Sequence, residues 1–104
     1  MKKKPFKAVF LDKVKKHINS LSLSDQAIVA AHVQSLAEGR YDLIYTKTLK
    51  SPICELVVRQ FRLLYFVIEE TIYMVSIFRK KTQKTPKREI QQAEKIYKMF
   101  KQKN

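Results

Sequence analysis

Apolar side chains crowd into three runs between residues 53 and 78: IleCysGluLeuValVal (53–58), PheArgLeuLeuTyrPheValIle (61–68) and IleTyrMetValSerIlePhe (72–78). Runs of this length, rich in β-branched and aromatic residues and broken at Arg59-Gln60 and Glu69-Glu70, predict three strands joined by tight hairpins. Two-residue turns at both breaks set Val57 opposite Arg62, Glu55 opposite Leu64 and Arg62 opposite Ile77. One face then carries Glu55, Val57, Arg62, Leu64, Phe66, Tyr73, Val75 and Ile77. The other, from Cys54 and Leu56 through Leu63 and Tyr65 to Met74, Ser76 and Phe78, is apolar except for Ser76 and predicts the side that lies under helices. A slip of one residue reverses every side chain beyond it.

The flanks supply those helices. Phe6–Leu11 alternates like a short first strand, and Val14, Ile18 and Leu21 give residues 12–21 a helical stripe. Ser24 reads as the N-cap of a second helix, with Asp25 in its first turn and Gly39 as its stop after Glu38. Residues 40–52 mix Tyr41, Leu43, Ile44, Tyr45 and Leu49 with polar residues and predict a long surface connection ending at Ser51-Pro52. Thr85 as N-cap and Pro86 at the first helical position open a last helix, striped by Ile90, Ala93, Ile96 (or Tyr97) and Phe100. The fold class is α+β: one domain over 1–104, with a small antiparallel or mixed sheet, two N-terminal helices on one face and a C-terminal helix.

Charge adds a direction to this layout. The formal net charge is +13, unevenly placed: residues 1–16 carry +6, residues 79–104 carry +8, and the middle is nearly neutral. Residues 79–88 hold six cations and no acid, directly after the third strand. Such a field attracts nucleic acid or an acidic protein. Lys87 and Arg88 also fall in the first turn of the last helix, where the macrodipole disfavours cations and a bound phosphate would reverse the sign.

Cys54 stands alone, and His17 and His32 have no ligand spacing, so neither a disulfide framework nor a metal site is expected. Only Ala8–Leu11 follow the basic start as an apolar run, too short for a signal sequence, and nothing approaches the roughly 20 apolar residues of a membrane span. These features predict a cytoplasmic protein with no membrane association and no cofactor.

GluLeu (55–56), PheArgLeuLeuTyrPhe (61–66) and the run SerIlePheArgLysLysThrGlnLysThrProLysArgGluIleGlnGlnAlaGlu (76–94) resemble the RelE/ParE toxin superfamily, in its phage-derived HigB-like branch. Val57 stands where that branch usually has Arg, with Arg59 two residues on. The resemblance implies a RelE-like compact domain that cleaves mRNA in the ribosome without a metal and is held inactive by a cognate antitoxin encoded alongside. Relatives of the ParE type inhibit DNA gyrase instead, and a basic RNA- or ribosome-binding protein without cleavage is a third reading.

Cleavage by the 2′-hydroxyl needs a proton acceptor, positive charge at the phosphate and a donor for the leaving oxygen. Arg62, Lys80 and Lys81 are the candidate charges. Glu55 is either the base or the ion-pair partner of Arg62. Lys47, Lys50, Arg79, Lys84, Lys87 and Arg88, with Tyr73 as a proton donor or a stacking ring, are the candidate RNA contacts. No histidine is expected near this group, which predicts a weak nuclease that depends on the ribosome for orientation.

Overall fold

The structure, a computed structural model, describes residues 6–102. Lys2, Lys3, Lys4 and Lys103 of the two basic ends lie outside those residues. Five strands, β1 (Lys7–Phe10), β2 (Tyr45–Lys50), β3 (Ile53–Val58), β4 (Phe61–Ile68) and β5 (Thr71–Arg79), form one mixed sheet in the order β1-β5-β4-β3-β2. β1 runs parallel to β5, and the other pairs are antiparallel. Three helices, α1 (Asp12–Asn19), α2 (Leu23–Ala37) and α3 (Lys87–Gln102), complete the fold.

The hairpins form at the two polar pairs. Arg59 and Glu69 take φ of 55° and 56°, left-handed values that cost a non-glycine residue roughly 1–2 kcal/mol and are held by the strands on either side. β3 and β4 pair as the sequence predicts, Val57 with Arg62 and Glu55 with Leu64. The next hairpin departs from prediction. Ile68 faces Thr71 and Tyr65 faces Met74, but Leu64 faces Ser76, so Val75 is an extra residue and Arg62 pairs with Phe78 rather than Ile77. This bulge reverses the rest of β5. Ile77 joins the core under α1 and α2, while Phe78 packs with the cluster on the opposite face. Ser76 turns to the opposite face too, where its hydroxyl donates to Glu89 of α3 at 2.7 Å. In unbroken register Ser76 would enter the apolar side, and a buried unpaired hydroxyl costs about 1–3 kcal/mol. That exceeds the loss of one ladder position, so the bulge wins.

Two cores result. On one face Val14, Val29, Val33 and Leu36 of α1 and α2 pack on Leu56, Val58, Phe61, Leu63, Ile72 and Met74. On the other, Ala93 and Ile96 of α3 pack on Ile53, Leu64, Phe66, Ile68 and Val75, with Phe66, Tyr73, Tyr97 and Phe100 meeting edge-on or tilted. The N-cap of α2 is Ser22, which accepts from the Asp25 amide at 3.1 Å, two residues before the predicted Ser24. Gly39, at φ 74°, ends α2 as expected: its amide bonds the Leu36 carbonyl and that of Arg40 bonds Ser35, which caps the last turn. The predicted connection 40–52 holds a short 3-10 turn (Tyr41–Leu43) and then β2, an edge strand whose side chains are mostly exposed. No helix among the described residues is long and apolar enough to cross a membrane.

Tyr65 ties β2 to the core: its hydroxyl bonds that of Thr46, which also donates to the Glu55 carbonyl at 3.0 Å. Burial pushes the Tyr65 phenol up to about 12, against the lowering effect of Thr46. Between pH 10 and 12 the unfolded chain loses this proton and the folded chain keeps it. Tyr65 therefore contributes stability that is complete below about pH 10 and lost as pH rises through about 12, roughly 2–3 kcal/mol in all. Urea unfolding at stepped pH should show this decline in the native chain and a shallower one in Tyr65→Phe; identical slopes would contradict it.

Candidate nucleic-acid interface

α3 covers only one half of its sheet face. The other half, with Glu55, Val57, Arg62 and Phe78, floors a cleft of about 720 Å³. Tyr45 and Lys47 of β2 border it, and the Lys80–Pro86 segment with Arg88 and Glu89 closes it toward α3. Seven of its residues are Lys or Arg and two are acids, so the lining is strongly positive. Cations on a strand end, a loop and a helix start face one space from several sides, which suits the path of a phosphate backbone more than a flat anionic surface.

Glu55 organises this space. It is 2% exposed, and Thr85 donates its hydroxyl to one carboxylate oxygen while Lys47 lies 3.7 Å from the other. The partners of Glu55 are Thr85 and Lys47, and no ion pair with Arg62 forms among the described residues. Thr85 is correspondingly not the cap of α3. The helix begins at Lys87, after Pro86, whose carbonyl accepts from the Glu89 and Ile90 amides. Thr85 and Glu89 thus anchor the segment that joins the cationic loop to α3, one on Glu55 and one on Ser76. Within the loop, Thr82 donates to the Lys84 carbonyl at 2.8 Å.

Arg62 is half-buried on the floor. Its Nη1 donates to the carbonyls of Arg59 and Phe61, both at 2.8 Å. These two bonds fix the guanidinium and use two of its five N–H donors, leaving three for an anion. Lys80 continues the ladder past β5, its amide bonding the Gln60 carbonyl at 2.7 Å, and Lys80, Lys81 and Lys84 stay exposed at the cleft.

Not every predicted residue arrives. Lys50 pairs with Glu94 of α3 at 3.3 Å, Lys87 is exposed in the first turn of α3, and neither lines the cleft. Tyr73 packs against Phe66 and Phe100, with ring centroids 5.5 and 4.9 Å away, so its ring serves the α3 core rather than a base. Arg79 borders the cleft, but the bulge turns its guanidinium over the Phe61 ring at 4.9 Å. Tyr45 and His17, not among the expected site residues, also line the cleft. Tyr45, 61% exposed, offers a ring for stacking; alternation in TyrThrLysThrLeuLys was the signal that could have shown it. His17 of α1 lines the cleft despite the expectation of no histidine there. Among the described residues, no three of His, Cys, Asp or Glu gather to hold a metal ion.

Residues 16–98 match the family described as phage-derived protein Gp49-like. A solved structure, a chain of the archaeal RelE–RelB complex from Pyrococcus horikoshii OT3, superposes with a TM-score of 0.60 at 11% identity, covering 72% of this chain and 94% of that one. The fold is therefore RelE-like, a compact α+β domain. A comparison with curated proteins finds no match.

The bracing of Glu55 has an unequal cost. A hydrogen bond to a buried charge contributes about 1.5–3 kcal/mol, whereas an ion pair to a half-exposed lysine contributes about 0–1 kcal/mol. Thr85→Ala should therefore lower urea stability by roughly 1–3 kcal/mol and Lys47→Ala by under about 1 kcal/mol. The reverse order would show that Lys47, not Thr85, carries the brace.

Proposed function

The chain belongs to the phage-derived Gp49-like family, and on that premise we propose that it is the toxin of a type II toxin–antitoxin pair, acting as a ribosome-dependent mRNA endoribonuclease. The observation that carries this reading is the half-open sheet face of a RelE-like fold, floored by a fixed guanidinium and bordered by a cationic loop. In this reading the message backbone lies along Lys47, Lys80, Lys81, Lys84 and Arg88, with Tyr45 available to a base. Arg62 presents its three free N–H groups to the scissile phosphate as charge accumulates on its oxygens. Glu55, already committed to Thr85 and Lys47, holds the loop at the height this requires and is a positioning residue rather than the base.

The partner is a cognate antitoxin with acidic segments. The net charge of +13 supports it, and so does the likeness to a chain taken from a RelE–RelB complex. The cleft offers cations and rings but little to read a base edge, so codon choice falls to the ribosome and the message held in it. In this reading the ribosome also orients the message in a site whose carboxylates are already committed.

Induced expression followed by mapping of message ends tests this directly. Translated messages should be cut, and the same RNA free in solution at physiological salt should survive. Arg62→Ala should fold normally and lose roughly 10²–10³-fold in cleavage, the range seen when one transition-state donor is removed. Intact messages alongside a DNA-damage response would point to gyrase inhibition, and efficient cutting of naked RNA would overturn the dependence on the ribosome.

A further inference from the structure

We infer that His17 is the proton-transfer residue of the cleft. The inference rests on the reading of that cleft as the site of message cleavage and supplies the acid–base group that reading lacks. Both carboxylates of the lining are committed, Glu55 to Thr85 and Lys47, Glu89 to Ser76. His32 is committed as well, its Nδ1 against the Ile28 carbonyl at 2.9 Å, and it does not line the cleft. His17 is different. It sits half-buried in the last turn of α1, lines the cleft, and among the described residues no group hydrogen-bonds its ring. Its backbone carbonyl accepts from the Ser20 hydroxyl and amide.

Imidazole is the side chain that changes charge between about pH 5 and 8. In its neutral form it takes the proton of the 2′-hydroxyl as that oxygen attacks phosphorus. The bond from phosphorus to the 5′-oxygen breaks, and that oxygen leaves with a proton from water. The products are a 2′,3′-cyclic phosphate and a 5′-hydroxyl end, and the proton on His17 returns to solvent. No oxidant, reductant or metal enters the balance.

The charged residues of α1 beside His17 and of the cleft lining are mostly positive. Lys13 and Lys16 flank it on α1, and Arg79, Lys80, Lys81 and Lys84 face the cleft from β5 and the loop. Beyond them the lining holds Lys47, Arg62 and Arg88, with Glu55 and Glu89 as the acids.

The experiment measures cleavage of a translated message by the native chain, His17→Gln, His17→Ala and His32→Gln between about pH 5.5 and 8. The native rate should fall as pH drops. His17→Gln should retain its unfolding midpoint and its affinity for a 2′-O-methylated oligonucleotide, lose roughly 10²–10⁴-fold in rate and show a flat pH profile. Added imidazole should restore part of the rate of His17→Ala, and His32→Gln should behave like the native chain. Native rates in His17→Gln, or loss of rate in proportion to lost affinity, would overturn the inference and leave the nuclease reading standing. A native chain that cuts no message would overturn both.

Discussion

A carboxylate withdrawn from water in the middle of an apolar sheet is costly unless its oxygens are bonded. Glu55 meets that demand with Thr85 and Lys47, which belong to the loop before α3 and to the edge strand β2. One buried charge on β3 therefore fixes both borders of the cleft. Without Glu55 the segment carrying Lys80, Lys81 and Lys84 loses one of its two side-chain anchors and keeps only Ser76–Glu89. The seven cations of the lining repel one another, so this arrangement also needs an attachment that outweighs their repulsion. The part-buried hydroxyl contact is better suited to that than the exposed lysine.

The bulge at Val75 completes the site from the other side. By turning Ser76 toward α3 it gives Glu89 a partner and pins the start of the helix. By turning Phe78 into the cleft face it supplies apolar floor beside Arg62. It also lays the Arg79 guanidinium over the Phe61 ring at the edge of the cleft and leaves Lys80 to border it. A single extra residue thus decides which cations of the basic run meet the cleft, a choice that composition alone leaves open. Cations in the first turn of α3, unfavourable beside the positive end of the helix, fit a segment whose ligand is an anion.

The central strands were legible because long apolar runs and two polar breaks leave one sensible pairing, and Val57 against Arg62 followed from turn length alone. The same logic failed at β4–β5, where no glycine or proline marks the bulge. Its cause is a hydroxyl whose partner, Glu89, lies thirteen residues further on. β2 was missed because an edge strand buries little: in TyrThrLysThrLeuLys only Thr46 and Leu49 are half-buried, and the polar residues that protect an edge also disguise it. Ser22 and Ser24 compete for one cap, and Asp25 three residues after Ser22 decides between them. Arg62 and the basic run were visible in sequence, whereas the partners of Glu55 and the place of His17 depend on contacts between distant segments.

In the proposed function the open half of the sheet holds a single-stranded phosphate backbone. The most direct test is the salt dependence of binding of a non-cleavable, 2′-O-methylated oligonucleotide to the native chain, Lys81→Ala and Lys84→Ala. For single strands the slope of log affinity against log salt is about −0.7 per phosphate contact. Each substitution should make the slope shallower by about 0.7. Slopes equal to that of the native chain in both variants would place the backbone elsewhere and contradict the account.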